Sequence, residues 1–64
     1  MSLFFIVSAG TWDQDGEGNL DPNYKYISPA LTEHEAYAIH SSMNTYPWAF
    51  IEDNVGNLIR GERP

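Results

Sequence analysis

The residues best suited to chemistry sit in one acidic run, D-Q-D-G-E-G-N-L-D, from Asp13 to Asp21. Carboxylates at alternate positions are what an oxygen-ligated cation such as calcium requires. Set on a twelve-residue calcium loop, Asp13, Asp15 and Glu17 take ligand positions one, three and five. Gly18 falls on the sharp turn, Leu20 on the apolar position and Asp21 on position nine. Position twelve is then Tyr24, where a bidentate Glu is needed, and the flanks read as strands instead of helices. The plainer reading is a solvated, glycine-rich acidic turn, and both readings stay open on sequence.

Other constellations carry less. His34 and His40 are six residues apart in a helical stretch and point about 240° from each other, so they cannot share a metal as an i,i+4 pair does. His40 borders the apolar stripe of that helix and suits packing or an interface. Ser41 and Ser42 follow His40 directly, but adjacent helical residues do not face one another. There is no G-x-S-x-G elbow, and Gly16 and Gly18 lie among acids that would repel phosphate. Glu52 and Asp53 form a paired-acid motif at a turn, where exposure gives no burial to shift a pKa. A chain of 64 residues also has little room for an enclosed pocket of the usual few hundred Å³. These readings argue against an enzyme, and they call for no metal and no cofactor.

Composition narrows the class further. Hydrophobic residues are 42% and aromatics 14%, enough for a folded core. With 64 residues the chain is expected to form one domain over 1–64, burying only about 60% of its unfolded surface. The absence of cysteine excludes disulfides and thiolate metal sites. Net charge is −6, with Lys25, Arg60 and Arg63 against nine acids. Direct nucleic-acid binding needs clustered Lys and Arg, so it is not expected, and an acidic membrane surface would repel the chain. The N-terminal MSLFFIVSAG lacks a basic n-region, and its apolar run is too short for a signal peptide or a span. It reads as a strand of a soluble, cytoplasmic protein.

The elements that must position these residues follow from periodicity and punctuation. Residues 3–8 are β-branched and aromatic on both faces, as in a central strand covered on two sides. Residues 10–22 read as a long polar loop. Residues 23–28 read as a second strand, Tyr24 and Tyr26 on one face, Lys25 and Ile27 on the other. Thr32 and Glu35 have capping-box spacing, and Ala36, Ile39, Met43 and Tyr46 make a core-facing helical stripe that Pro47 ends. Residues 48–52 and 57–60 read as a hairpin about the turn at 53–56, with a frayed tail at 61–64.

The fold class is therefore α+β: a small four-stranded antiparallel sheet, β1-β2-α-β3-β4, with one helix packed on one face. A right-handed crossover places β1 between β2 and β3 and gives sheet order 2-1-3-4. One helix covers one face only. The other face either meets a partner or is plugged by the long loop through Trp12 and Leu20.

By elimination the function is that of a small acidic interaction domain that binds and inhibits or modulates a larger, basic, nucleic-acid-handling protein. Trp12, Asp13, Asp15, Glu17 and Asp21 are the expected partner-binding residues, with Glu52 and Asp53 second. In size and charge this profile is similar to that of small phage-encoded inhibitors of host machinery, including anti-CRISPR and polymerase-inhibiting proteins. That resemblance implies an anti-defence or inhibitory role but names no target. The alternatives are a calcium-binding module built on the Asp13–Asp21 run and a structural homodimer pairing through the open face or an edge strand.

Overall fold

The computed structural model describes residues 3–64, so residues 1 and 2 of the expected domain lie outside it. Five elements follow in order: β1 (Phe5–Gln14), β2 (Leu20–Ile27), α1 (Glu33–Ser42), β3 (Trp48–Asp53) and β4 (Leu58–Gly61). The sheet runs β2-β1-β3-β4, antiparallel between all neighbours. The expected topology is thus the observed one, with the apolar strand in the centre. Among the described residues no helix is long and apolar enough to cross a membrane.

The core lies between α1 and one face of the sheet. Phe5, Val7, Ala36 and Ile51 are its buried centre, with Tyr26, Leu31, Ile39, Met43 and Ile59 packed around it. Strand alternation explains the choice: Phe5 and Val7 share a face of β1, and Val7 lies opposite Ile51 of β3. Ile6 and Ser8 therefore point away from the helix. The first turn of α1 is closed by the expected capping box. Glu35 N–H donates to Thr32 Oγ1 at 3.2 Å, and Thr32 N–H donates to Glu35 Oε1 at 3.0 Å.

Beside the start of β1, residues 28–31 continue where β2 stops. Phe5 and Leu31 exchange two backbone hydrogen bonds of 2.8 Å each. Buried Ser28 takes a ladder position with its side chain: Val7 N–H donates to Ser28 Oγ at 2.8 Å, and that hydroxyl donates to the Pro29 carbonyl. From Phe5 to Gly10, β1 thus has strand neighbours on both sides, as a central strand must.

Four local expectations are corrected. The stretch 10–22 is no loop: β1 runs on to Gln14 and β2 starts at Leu20, leaving a tight turn between them. Cross-strand pairing supplies what the weak strand propensity of Asp13 and Gln14 does not. Tyr24 and Tyr26 do not share a face. Tyr26 lies opposite Ala9 and Tyr24 opposite Gly10, so Lys25 is the extra residue of a bulge that flips the alternation. The helix ends at Ser42, short of Tyr46, where the Ser41 and Ser42 hydroxyls turn back onto the carbonyls of Tyr37 and Ile39. The tail is not frayed. Gly61, at φ +82°, reverses the chain, and Arg63 reaches Glu52 and the Gly56 carbonyl.

Candidate functional site

β3 pairs with β1 only as far as Gly10, whereas β2 follows β1 to its end. Residues 11–23 therefore form a two-stranded arm beyond the helix-covered body, and the molecule is a thin slab of 45 × 23 × 16 Å. The arm carries Asp13, Asp15, Glu17 and Asp21 and no lysine or arginine. Register sorts its side chains. Thr11 opposes Asn23 and Asp13 opposes Asp21, on the face continuous with the helix side. Trp12 opposes Pro22 and Gln14 opposes Leu20, on the other face. Asp15 and Glu17 occupy the tip. Asn23 Nδ2 donates to Asp13 Oδ2 at 3.0 Å, which offsets part of the repulsion between Asp13 and Asp21.

The tip and the β3–β4 turn are the same structure built twice from the pattern D-x-x-G-N: Asp15-Gly16-Glu17-Gly18-Asn19 and Asp53-Asn54-Val55-Gly56-Asn57. In each, the aspartate N–H donates to the asparagine carbonyl at 3.0 Å, and the glycine N–H to the aspartate carbonyl at 3.2 Å. Gly18 and Gly56 sit at φ +89° and +87°, a region that favours glycine. Asp15 Oδ1 accepts from the N–H groups of Glu17 and Asn19, and Oδ2 from Asn19 Nδ2. Asp53 does the same with Val55 and Asn57. Donation from the Asn19 backbone, then from Glu17, holds the Asp15 carboxyl below its ordinary value. The Asn57 backbone does the same to Asp53. The Asp15 oxygens that a calcium reading would assign to the ion thus face the donors of their own turn.

The sheet face away from the helix is aromatic. Gly10 lies between Tyr24 on β2 and Trp48 on β3, and its missing side chain lets the two rings meet over the strand. Their centroids are 4.8 Å apart, edge to face; Trp48 stacks on Phe50 at 6.0 Å; and Tyr24 caps Phe50 at 6.5 Å. Trp48 Nε1 donates to the Thr11 carbonyl at 2.9 Å, fixing the indole at the root of the arm. Trp48 and Phe50 are buried by this arrangement, but Trp12, Leu20, Tyr24, Ile27 and Leu58 on the same face are exposed. Trp12 and Leu20 do not plug the face; they extend it along the arm.

Glu52 and Asp53 lie at the opposite end of the sheet from the arm's tip, so the seven expected contact residues form two separate groups. Each of the second pair has a structural partner: Glu52 is bound by Arg63 at 2.9 Å, and Asp53 closes its turn. Arg60 lies over the Tyr37 ring at 5.3 Å. An open, unenclosed cleft of about 520 Å³ lies where the end of α1 comes beside β4. His40 lines it, with Nε2 at 3.3 Å from the Ala49 carbonyl, while the Ser41 hydroxyl donates to Tyr37. No nucleophile there is aimed at a base. Among the described residues no three His, Asp or Glu side chains converge as a metal site would require.

Comparison with protein-family models, with curated proteins and with solved structures finds no match. The geometry must carry the functional reading. The sequence grouped Trp12 with the acids on one loop and did not show the apolar face of the arm. Its signal was the repeated D-x-x-G-N, which marks residues 15–19 as a hairpin turn equivalent to 53–57.

Proposed function

We propose that this chain is a small acidic interaction domain of the cytoplasm that binds a larger, basic, nucleic-acid-handling protein and inhibits or modulates it. The observation that carries the reading is the arm. It projects four carboxylates past the body of the molecule, with no cation among them. An extended acidic ribbon suits a groove lined with Lys and Arg, where it would steer fast encounter and occupy the path of a phosphate backbone. This is the way of working that small phage-encoded inhibitors of host machinery suggest. Asp13, Glu17 and Asp21 supply charge, Asp15 holds the tip in shape and Trp12 offers an aromatic anchor. Glu52 and Asp53 come second because each is already engaged.

The test is capture from a lysate of the native cell by the immobilised chain, in parallel with Glu17→Lys/Asp21→Lys. Asp15 is kept so that the turn survives. The parent should retain basic nucleic-acid-handling proteins that elute as salt rises, and adding free chain should displace nucleic acid from them. The variant should lose them. Equal capture by both chains, with equal salt elution, refutes the reading.

A further inference from the structure

We propose that the aromatic sheet face is the contact surface for a second copy of this chain, two sheets packing face to face about a two-fold axis. The inference goes beyond the acidic-partner reading and does not depend on it. Trp12, Leu20, Tyr24, Ile27 and Leu58 are 40, 59, 47, 62 and 44% exposed, and register places all five on this face. Together these residues leave about 500 Å² of surface in water, toward the upper end for the largest apolar patch of a monomer. Half-buried Ile6 and exposed Pro22 bring the face to roughly 600 Å², the lower end of what each partner contributes to a specific stable interface. A slab 45 by 23 Å across has room for it.

Three observations favour a copy of the chain over a basic protein here. The face carries little charge: among its strand positions Glu52 is the one acid, and Arg63 already binds it. The carboxylates of the arm point to the opposite face or cap the tip, so pairing through this face leaves them in solvent. Both sheet edges also resist pairing. Pro22 and the Lys25 bulge interrupt β2, and β4 has four residues. With the axis near Gly10 and across the strands, the arm of one copy lies over Ile6 and Ile27 of the other. A two-stranded ribbon is marginal alone in water and gains a packing surface this way. The dimer would present two acidic tips at opposite ends.

Sedimentation of the full chain tests this at about 1–100 µM protein and about 0.05–0.5 M salt. The expected result is a dimer that tightens with salt, because copies of charge −6 repel and the face is apolar. Ile27→Lys puts two charges into a symmetric interface and should weaken dimerisation at least about a hundredfold. Leu20→Lys, out on the arm and away from the core, should do the same if Ile27→Lys fails to fold. Glu17→Lys should leave the dimer intact. A monomer throughout, a dimer that salt dissociates, or a dimer that survives both lysine variants overturns the proposal. A parent chain that is monomeric throughout yet still captures basic proteins refutes this inference alone. A parent that dimerises but whose capture is absent, or equal to that of Glu17→Lys/Asp21→Lys, refutes the acidic-partner reading alone.

Discussion

Gly10→Ala adds one methyl at the root of the arm, and the structure sets its cost. A Cβ there would lie 2.1 Å from the Asn23 carbonyl oxygen and 2.6 Å from Trp48 Cζ2. Neither neighbour is a free end. The carbonyl belongs to the β1–β2 ladder beside the bulge, and the indole is tethered to Thr11 and packed by Tyr24. Relief requires spreading the two strands, at about 1–3 kcal/mol for an overpacked site. It also requires moving the indole. That loses a hydrogen bond worth about 1 kcal/mol net and an aromatic contact worth about 0.5–1.5 kcal/mol. The smaller entropy of an unfolded alanine returns about 0.4–1 kcal/mol. The net cost should be about 2–4 kcal/mol, against a total of roughly 3–10 kcal/mol for a chain of this length.

The assay is thermal and urea unfolding followed by circular dichroism, at one fixed concentration so that self-association does not confound the midpoint. The midpoint temperature should drop by about 10–30 °C. Gly16→Ala is the internal control. No atom lies within 4 Å of its Cβ position and its φ is not positive, so the change should be neutral or stabilise by up to about 1 kcal/mol. If Gly10→Ala falls within about 0.5 kcal/mol of Gly16→Ala, the close approach of β2 and Trp48 over Gly10 is wrong, and so is the platform built on it.

Ser28→Ala should leave the buried Val7 N–H without its acceptor and cost about 1–3 kcal/mol; an unchanged urea midpoint, with amide exchange at Val7 as slow as in the parent, would count against that bond. Acid should destabilise the fold through Asp15, Glu35 and Asp53, which backbone donors from Asn19, Thr32 and Asn57 hold below their ordinary values. The unfolded chain then takes up protons first as pH falls, so this contribution is complete above the ordinary carboxylate range near about pH 4. It is lost as pH drops through the lower folded values. Asp15→Asn/Asp53→Asn should flatten the acid limb, and a limb that superimposes on the parent's would refute the assignment.

The architecture was legible because a few residues admit one arrangement. A strand apolar on both faces belongs in the centre, and the Thr32–Glu35 pair fixes where the helix starts. What was not legible depended on contacts across the chain. Asp13, Gln14 and Asp21 have the composition of a loop, and only pairing with the facing strand makes them strand residues. A bulge is invisible to alternation, so Lys25 misplaced Tyr24, the residue that links the buried aromatics to the exposed face. The end of α1 was hidden because the Ser42 hydroxyl takes the Ile39 carbonyl that Met43 N–H would have used in a longer helix, while Met43 N–H turns to His40. The tail was misread because a positive-φ glycine and one Arg–Glu pair fold it back.

Trp12 decides how the two proposals relate. Sequence grouped it with the acids, but register turns it to the opposite side of the ribbon from Asp13 and Asp21. A β-strand cannot present neighbours to one surface, so Trp12 and Asp13 cannot both lie flat against the same partner. If two copies pair, Trp12 enters their interface and the acids alone meet a basic protein. If the chain works as a monomer, the partner must grip the arm from both sides. Trp48 is already buried, so a blue shift in tryptophan emission on association reports Trp12. A shift that grows with protein concentration and with salt places Trp12 between copies. A shift that appears only with a basic partner, and that salt reverses, places it in a clamp around the arm. The two burials respond to salt in opposite senses because the ribbon keeps its apolar and acidic sides apart.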